Sequence, residues 1–463
     1  MKPAEKINHL YWRAGFGLSP EEWSKKKDWS VKQAVERLFE DSAKAKIQLD
    51  GSEFLLNSSQ KKGKLSKEQM KKMAKQSRGL IVKQNALWVT RMADDTESAL
   101  LERMSLFWHG HFACINKSSS TAYHQLNTIR KHALGNFREF VHAMCKDVSM
   151  IKFLNNQQNR KRKPNENFAR ELLELFTIGR GNYSEQDIKE AARAFTGWSC
   201  DKQGNFIFKE RNHDYDSKTF MGKTGDFNGD DVVKIVLDRP ETATHITRKI
   251  YRYFINEKVD EKRVKELATA FYKSDYDIKK LMLRIFKSDW FYDAENIGTK
   301  IKSPIELLAG VMRSLHLEFK DPKSLLFAEK ALGQILFIPP NVAGWPGGKN
   351  WIDNSTLMLR LNLVYYLYGK SDVNFKVKDE LEAKKRGQAF RKLKGSINFK
   401  PLIKTFDNKS NAATFEELKT YLLLSPTRLN ASDFDAYVYN TRSSDYVKSL
   451  AMRLMSLPEY QLC

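Results

Sequence analysis

Apolar side chains recur about every 3.6 residues along most of this chain, and that spacing restricts what the chain can fold into. Between about 80 and 155, for example, Leu101, Met104, Phe107 and Trp108 follow the helical pattern. Only 12 prolines and 23 glycines occur among the 463 residues, which is few for the turns of a many-stranded sandwich. The sequence therefore predicts a mainly α fold with a large helical body.

One segment interrupts the helical pattern. Residues 197–231 are rich in glycine, aspartate and asparagine, and they contain the short apolar run 205–208. We expect a small β-hairpin and loop insertion here, placed between helices. Just before it, the sequence predicts a helix over 165–177, and Ser184 with Asp187 has the spacing of a capping box that starts another helix.

These patterns divide the chain into predicted regions. They are N-terminal helices at 1–56, a basic linker or exposed helix at 57–79, a helical core at 80–370 that holds the insertion 197–231, a basic segment at 371–412, and C-terminal helices at 413–463. Within the core, residues 339–348 must form a loop, because their prolines and glycines prevent regular structure.

The charge balance is strongly basic. The formal net charge is +23 at pH 7, and much of the excess lies in residues 61–78 and 376–400. Neither stretch carries a recognition-helix motif or the aromatic pattern of an RNA-binding sheet. We interpret both as a solvated linker or helix face. The alternative is non-specific polyanion binding that weakens steeply as salt is added.

Three further features concern the compartment of the protein. No run of about 18 apolar residues occurs, so the sequence predicts no membrane span. Residues 1–6 lack the apolar stretch of a secretory signal, which favours a cytoplasmic location over the alternative of an exported protein whose signal has been removed. The cysteines have no CxxC spacing, and we expect buried thiols instead of disulfides or a zinc site. They are Cys114, Cys145, Cys200 and Cys463.

Two histidines, His109 and His111, flank Gly110. If the chain turns at this glycine, both imidazoles can bind one metal ion. On a continuous helix the same side chains would point about 200° apart and could not share an ion. The alternative role is structural, with one histidine at a helix end and the other in the core.

Acidic side chains line one margin of the predicted helix 165–177. Glu171 and Glu174 are three residues apart, so both carboxylates can meet on one side. Glu166, Arg170 and Glu174 form a row at four-residue intervals. Helix bundles present carboxylates to metal ions in a similar way. Ordinary salt bridges within the helix are the alternative.

A histidine and an aspartate, His213 and Asp214, are adjacent in the irregular insertion. Loops often carry functional groups over a rigid scaffold, and this pair suits metal ligation or general acid–base catalysis. A loop hydrogen-bond network is the alternative. The motifs of serine hydrolases, phosphate loops, dinucleotide-binding folds and common zinc peptidases do not occur, which removes those enzymes from the leading candidates.

Taken together, these segments resemble a large bacterial family known only as domain of unknown function 1800. The resemblance runs nearly end to end. In chain order, it rests on Arg13–Gly17, Phe107–Phe112, Ala133–Arg138, Pro164–Phe176, Ala191–Trp198, His213–Asp214, Lys302–Pro304 and Pro339–Pro346. The three polar constellations fall within these motifs, so the resemblance implies that they belong to one pocket. It implies no settled activity.

The first functional hypothesis is an enzyme with a divalent metal ion. Its predicted metal ligands are His109, His111, His213, Glu171 and Glu174, and its predicted catalytic residues are His213, Asp214, Glu171 and Arg170. Metal-assisted hydrolysis is favoured, because a metal-bound water is the simplest nucleophile for a site without an activated serine or cysteine. An oxidative metal site and a metal-free acid–base site are the alternatives.

The expected substrate is a small anionic molecule or a glycan, and Arg170 or Arg193 would hold an anionic group. The second functional hypothesis is a non-catalytic binding or scaffold protein. In that case the glutamates and arginines form structural salt bridges, and the loop 339–348 is a platform for a partner or a glycan.

Overall fold

Helices dominate the structure, a computed structural model of the chain. It describes residues 2–55, 66–201, 204–369, 393, 395–407, 410–425, 427–439 and 442–463. The protein is 63% helical, so the predicted mainly α fold is confirmed.

The helix bounds follow in chain order. The α-helices are α1 (Pro3–Ala14), α2 (Pro20–Lys26), α3 (Val31–Lys44), α4 (Lys67–Ala93), α5 (Ala99–His111), α6 (Ser119–His132), α7 (Phe137–Cys145), α8 (Val148–Phe153), α9 (Asn167–Glu171), α10 (Glu185–Ala194), α11 (Gly229–Leu237), α12 (Pro240–Phe254), α13 (Glu261–Lys273), α14 (Ile278–Phe286), α15 (Pro304–Leu315), α16 (Pro322–Leu332), α17 (Asn354–Tyr368), α18 (Lys400–Phe406), α19 (Asn411–Leu422) and α20 (Ser443–Met455). A π-helix, Leu172–Phe176, directly follows α9. Short 3₁₀ turns lie at Ser52–Phe54, Asn156–Gln158, Glu210–Asn212, Asp289–Tyr292, Ala294–Asn296, Gly348–Trp351, Ala431–Phe434 and Pro458–Gln461.

The strands are short and pair in twos. They are β1 (Trp198–Cys200), β2 (Phe206–Phe208), β3 (Lys218–Phe220), β4 (Lys223–Gly225), β5 (Leu317–Phe319) and β6 (Gly395–Ile397). The antiparallel pairs β1–β2 and β3–β4 form two hairpins in the predicted insertion, where we expected one. The pair β5–β6 lies outside the insertion and joins segments that are far apart in sequence.

Polar caps explain where several helices begin. The Ser184 hydroxyl accepts a hydrogen bond from the backbone N–H of Asp187, and the Asp187 carboxylate accepts one from the backbone N–H of Ser184. The predicted capping box is therefore confirmed. It starts α10, which packs against strand β3 of the insertion.

Aromatic side chains fill the core beneath α5. Trp108 is fully buried, and its ring packs against Phe137 and Phe140 at centroid distances of 5.5 and 5.3 Å. Its Nε1 donates to the Ala133 carbonyl oxygen at 3.0 Å, so the only polar atom of the indole is satisfied. The ring contacts and this hydrogen bond of Trp108 therefore hold α5 against the segment that contains Ala133, Phe137 and Phe140.

The first helix is joined to the C-terminal part of the chain. The Asn8 amide donates to the carbonyl oxygens of Thr420 and Tyr421 at 2.8 and 2.9 Å. In return, the Tyr421 hydroxyl donates to the Leu18 carbonyl oxygen at 2.8 Å. Helices α1 and α19 are thus in direct contact although about 400 residues separate them.

A group of buried charges lies at the start of α15. Glu306 is 1% exposed and pairs with Arg103 and with Lys300, whose Nζ lies 2.5 Å from Oε1. Its Oε2 accepts a hydrogen bond from the Ser303 backbone at 2.5 Å. Burial would raise the pKa of Glu306, but the positive charges of Arg103 and Lys300 outweigh it and lower the pKa to about 2. The carboxylate therefore stays charged in the core.

The described part of the lysine-rich stretch 57–79 belongs to α4, whose first turns are exposed. Residues 57–65 and most of 376–400 lie outside the described residues. In the part of the chain that the structure describes, no helix is both long and apolar enough to cross a bilayer. All four cysteines are free thiols, and only Cys200 is not fully buried.

Candidate functional site

Helix α5 continues through Gly110 to His111, so the predicted turn at this glycine is wrong. Side chains two residues apart on a helix point in different directions. The His109 imidazole faces the backbone of Phe337, whereas the His111 imidazole faces the backbone of Phe176. The structure does not bring the two imidazoles together around one point.

His109 is part of the core. Its Nε2 accepts a hydrogen bond from the Phe337 backbone N–H at 3.0 Å, and the rings of Trp88 and Phe337 lie 5.2 Å from the imidazole centroid. Burial lowers the pKa of His109 to about 3. The imidazole is therefore neutral at neutral pH and acts as a hydrogen-bond acceptor for a distant segment of the chain.

The loop 339–348 packs against the same end of α5. The Trp345 ring lies 5.8 Å from the His109 imidazole. Gly344 has a φ of +80°, and a Cβ at this position would overlap the carbonyl oxygen of Gly110. The contact between loop and helix is therefore a backbone contact that only glycine at 344 permits.

Replacing Gly344 with alanine should lower the free energy of unfolding by about 1–3 kcal/mol, because the Cβ meets backbone and the φ is left-handed. Gly347→Ala is the matched control, since its φ is +72° but the added Cβ has nothing within 4 Å. Denaturant unfolding followed by circular dichroism measures both losses. Equal losses would mean that the close approach to Gly110 contributes nothing.

The segment that follows Asn165 is helical, as predicted, but it changes type at Leu172. The π-helix Leu172–Phe176 contains wider turns than an α-helix, so carbonyl oxygens at its end lack their usual partners. Three side chains supply the missing donors. Lys249 Nζ lies 2.7 Å from the Leu175 oxygen, His245 Nε2 lies 3.3 Å from the same oxygen, and His111 Nε2 lies 3.2 Å from the Phe176 oxygen.

Burial controls the charges of these three donors. It is the largest cause that lowers the pKa of His111 well below its usual range and the pKa of His245 to about 4, and the charge of Lys249 lowers both further. Burial also lowers the pKa of Lys249 to about 8. At pH 7 the two imidazoles are therefore neutral, whereas Lys249 is largely charged.

The predicted carboxylates of this segment lie close enough to each other for the charge of Glu174 to act on Glu171. Glu174 accepts hydrogen bonds from Arg180 Nε at 2.5 Å and from the Tyr183 hydroxyl at 3.3 Å. Glu171 is half-buried, and its pKa is raised by burial first and by the charge of Glu174 second. Arg170 forms surface ion pairs with carboxylates on both sides of it. They are Glu166 at 3.1 Å and Glu185 at 2.8 Å.

The adjacent His213 and Asp214 have separate partners. Arg193 donates from Nε to Asp214 Oδ2 at 2.8 Å and from Nη2 to Oδ1 at 3.2 Å. Burial would raise the pKa of Asp214, but these hydrogen bonds outweigh it and lower the pKa. His213 Nδ1 lies 2.8 Å from the Thr196 carbonyl oxygen. Its Nε2 has no hydrogen-bond partner among the described residues.

The predicted metal ligands are therefore distributed over different places. His109 lies in the core, His111 lies behind the π-helix, and His213 lies in the insertion. Among the residues that the structure describes, no group of three or more His, Cys, Asp or Glu side chains could hold a metal ion. A divalent cofactor stays a prediction from the sequence.

A cavity of about 330 Å³ opens beside the π-helix. We call it the basic cavity. The polar residues that line it are Glu174, Arg180, His245, Arg248, Lys249 and Arg252. Three of them, Arg248, Lys249 and Arg252, are cationic groups on one side of α12. Glu174 is the acidic member, and it is already bound to Arg180.

A second cavity of about 260 Å³ lies between the hairpin β1–β2 and the start of α11. Its aromatic walls are Trp198, Phe206, Phe208 and Tyr215, and its polar lining is His213, Asp226, Asn228 and Asp230. We call it the aromatic cleft. The His213 imidazole lies against the rings of Phe208 and Tyr215 in edge-on contacts, at centroid distances of 5.2 and 4.7 Å.

Two ion pairs balance the charge of the aromatic cleft. Lys218 Nζ lies 3.4 Å from Asp226 Oδ1, and the Lys146 amino group lies 2.9 Å from Asp230 Oδ1. His142 Nδ1 also lies 3.1 Å from Asp230 Oδ1. The cleft thus combines exposed rings, an imidazole and neutralised carboxylates.

A family model described as "Protein of unknown function (DUF1800)" matches residues 9–462. The chain belongs to this family. No curated protein and no solved structure matches the chain. The DUF1800 match spans both cavities, but its description assigns an activity to neither of them.

Several lining residues of this DUF1800 protein were missed by sequence analysis. The sequence positions of Tyr215 and Phe208 could have indicated that they belong to the site. Tyr215 lies two residues after His213, and Phe208 lies in the predicted hairpin. Lys249 and Arg252 carry none, since they occupy the polar face of an ordinary amphipathic helix. Only their position opposite the π-helix distinguishes them.

Proposed function

We propose that this protein binds a neutral glycan in the aromatic cleft and hydrolyses it, with His213 as the acid–base group. The observation that carries the proposal is the placement of His213. Its ring is fixed at Nδ1 by the Thr196 carbonyl, contacts two exposed aromatic rings and lines an open cleft.

The hydrogen bond to Thr196 determines which nitrogen can act. A carbonyl oxygen accepts but cannot donate, so Nδ1 must carry the proton. In the neutral ring, Nε2 then has the free lone pair and can receive a proton. This orientation is the one that a general base requires, with a backbone carbonyl in place of the more familiar carboxylate.

The walls of the cleft favour a ring-shaped ligand. Phe208 is 41% exposed and Tyr215 is 55% exposed, which is unusual for large aromatic side chains. Ligand sites typically combine aromatic walls with a few polar groups that fix orientation. A sugar matches this combination, because its C–H face can pack on a ring while its hydroxyls bind Asn228 and the carboxylates.

The charges favour a neutral sugar over an acidic one. Asp226 and Asp230 line the cleft, and each is paired with a lysine, so the described lining of the cleft offers no unpaired cation to a carboxylate or sulfate. The sugar hydroxyls would instead donate to the carboxylate oxygens. Hydrogen bonds to charged acceptors are stronger than those between neutral groups.

The proposed step is hydrolysis of a glycosidic bond. His213 Nε2 removes a proton from a water molecule as its oxygen attacks the anomeric carbon. The bond between that carbon and the leaving oxygen breaks on the opposite face of the sugar, where the leaving oxygen takes a proton from water, and the imidazolium returns its proton to the solvent. Such proton transfer typically contributes about 10²–10⁴-fold to a rate.

A second candidate function is binding without catalysis. It is favoured by the ion pairs of Asp214 with Arg193 and of Arg170 with two glutamates, which account for several predicted catalytic groups as structural partners. In this case the aromatic cleft holds the glycan and no bond is broken. The two candidate functions predict different results for a variant without His213 Nε2, because only the first predicts that such a variant loses a hydrolytic activity.

Binding is tested by titration calorimetry with cellotetraose, chitotetraose and maltotetraose. Replacing Tyr215 or Phe208 with alanine should weaken the binding of the recognised sugar about tenfold, because a stacking surface is lost. Tyr439→Ala is the matched control, since Tyr439 is 68% exposed and lies outside the cleft. Binding that is equal in all three variants, or no binding to any sugar, contradicts the proposal.

Catalysis is tested with His213→Asn and an assay for new reducing ends. The asparagine amide can replace Nδ1 as the donor to Thr196, but it has no atom at the position of Nε2. Hydrolysis should fall about 100-fold or more while sugar binding persists. Sugar binding by the native protein without hydrolysis would favour the second candidate.

A further inference from the structure

The basic cavity contains positive charge that the protein itself does not neutralise. Two of its cations have carboxylate partners. Arg248 donates to Glu261 at 2.7 and 3.1 Å, and Arg180 donates to Glu174. Neither Lys249 nor Arg252 has an ion pair with a carboxylate in the described part of the chain.

Of these two cations, Lys249 is the one whose positive charge is buried. Its amino group is withdrawn from water, although part of the side chain remains accessible from the cavity. Its acceptors are the Leu175 carbonyl oxygen at 2.7 Å and His111 Nδ1 at 3.3 Å. Both acceptors are neutral. A desolvated ammonium without a counter-charge is costly, and an anion in the cavity would offset that cost.

The remaining groups that face Lys249 add no negative charge at its position. His111 and His245 are neutral because their pKa values are lowered, and Arg248 and Arg252 are cations. The carboxylate of Glu174 lines the cavity but is held by Arg180 and Tyr183. The floor of the cavity is therefore electropositive, and a volume of about 330 Å³ accommodates a polyatomic anion.

We infer that the basic cavity binds a tetrahedral oxyanion, phosphate or sulfate, with Lys249 at the floor and Arg252 at the rim. The anion is either free or an ester group on a larger ligand, because the chemistry of recognition is the same. Arginine and lysine recognise such groups through charge-assisted hydrogen bonds. This site is separate from the aromatic cleft, and the inference does not depend on the proposed function.

The first test is titration calorimetry of the native protein with sodium sulfate and with inorganic phosphate at constant ionic strength. Lys249→Met and Arg252→Gln should each weaken binding about tenfold or more, since each removes a charge-assisted contact. Lys265→Gln is the matched control, because it removes one exposed positive charge from the neighbouring helix α13. An equal loss in the control would show general surface charge and overturn the site.

The variant Lys249→Met removes a donor from Leu175, so its fold is checked by circular dichroism. Arg252→Gln keeps the inference falsifiable if that variant unfolds, because Arg252 is exposed and its interaction with the described residues is the long-range attraction of Glu261. Unchanged sulfate and phosphate affinity in a folded Arg252→Gln protein would overturn the inference. Phenyl phosphate distinguishes the sources, since tighter binding than that of phosphate indicates an ester and equal binding indicates the free anion.

The pH dependence gives an independent measurement. Sulfate keeps its charge from pH 6 to pH 9.5, so a change in its affinity reports the protein. Burial lowers the pKa of Lys249 to about 8, and bound sulfate favours the charged amine. The affinity should therefore fall as the pH rises through and above about 8, and Lys249→Met should abolish this dependence. A flat profile for the native protein would contradict the role of Lys249.

Discussion

Replacing Glu306 with glutamine is expected to lower the free energy of unfolding by about 3–5 kcal/mol, because it leaves two cations buried without a counter-charge. Arg103 and Lys300 both pair with Glu306 in the core. Glutamine has the same shape but no charge, and its amide N–H groups would also face the N–H donors of its neighbours. The loss therefore comes from electrostatics and not from a cavity.

Urea unfolding of the native and variant proteins at pH 7 measures this loss. Glu185→Gln is the control, since Glu185 is exposed and forms a surface ion pair with Arg170, so its loss should hardly move the unfolding midpoint. A Glu306→Gln protein as stable as the control variant would mean that the buried ion pairs contribute nothing.

The effect of Glu306→Gln should also depend on pH. The pKa of Glu306 is lowered to about 2 in the folded protein, below its usual value of 4.5. The unfolded chain therefore binds the proton first on acidification. The stabilisation is complete above about pH 4.5 and is lost between about pH 4.5 and pH 2. The difference between native and variant proteins should shrink over that window.

Replacing Glu329 with glutamine should have the opposite sign and should stabilise the protein at alkaline pH. Glu329 is fully buried, and it accepts hydrogen bonds from Asn85 at 2.7 Å and from the Leu336 backbone at 3.3 Å. Burial raises its pKa to about 8 and outweighs these two hydrogen bonds, which lower it. Glutamine keeps an acceptor for both donors and cannot ionise.

The sign follows from which state holds the proton. The folded protein retains the Glu329 proton up to about pH 8, whereas the unfolded chain loses it near 4.5. Native stability therefore falls by about 1.4 kcal/mol per pH unit within that window through this one group. The advantage of Glu329→Gln over the native protein should grow accordingly and then level off above pH 8.

Thermal and urea unfolding from pH 5 to pH 9 measures this advantage, because other titrations cancel in the difference between the two proteins. Glu318→Gln, at an exposed position on β5, should run parallel to the native protein. A constant difference between Glu329→Gln and native protein across the range would contradict the assigned protonation of Glu329.

Features that depend on neighbouring residues could be predicted from the sequence. The capping box of Ser184 and Asp187 is local, and so is the apolar face of the segment 165–177. Of the four apolar side chains expected on this face, Phe168, Leu172 and Phe176 are buried, whereas Leu175 is only partly buried. The hairpins of the insertion were also indicated by composition, although their number was not.

Features that depend on distant residues could not be predicted. His109 binds a backbone N–H 228 positions away, and the contact of Gly344 with Gly110 spans a similar distance along the chain. Nothing near Gly110 reveals that the helix continues through it. The strand pair β5–β6 could not be predicted either, because strands of three residues are too short to show the two-residue alternation of a β-strand.

The sequence predicted a single pocket for the three polar constellations. His213 and Glu174 each line a cavity, but the resemblance of the three motifs to one family did not mean that they meet at one point. Each motif stabilises a different contact. The change from α-helix to π-helix at Leu172 exposes the carbonyl oxygens that His111 and Lys249 bind. The apolar pattern of the sequence does not predict that change.

The contact between α1 and α19 has a consequence for synthesis of the protein on the ribosome. Asn8 leaves the exit tunnel early, but the carbonyl groups that it binds belong to Thr420 and Tyr421. Its side chain has no native acceptor until nearly the whole chain has been translated, which takes tens of seconds at about 5–20 residues per second. During that time the apolar face of α1 that packs on α19 is without its native partner.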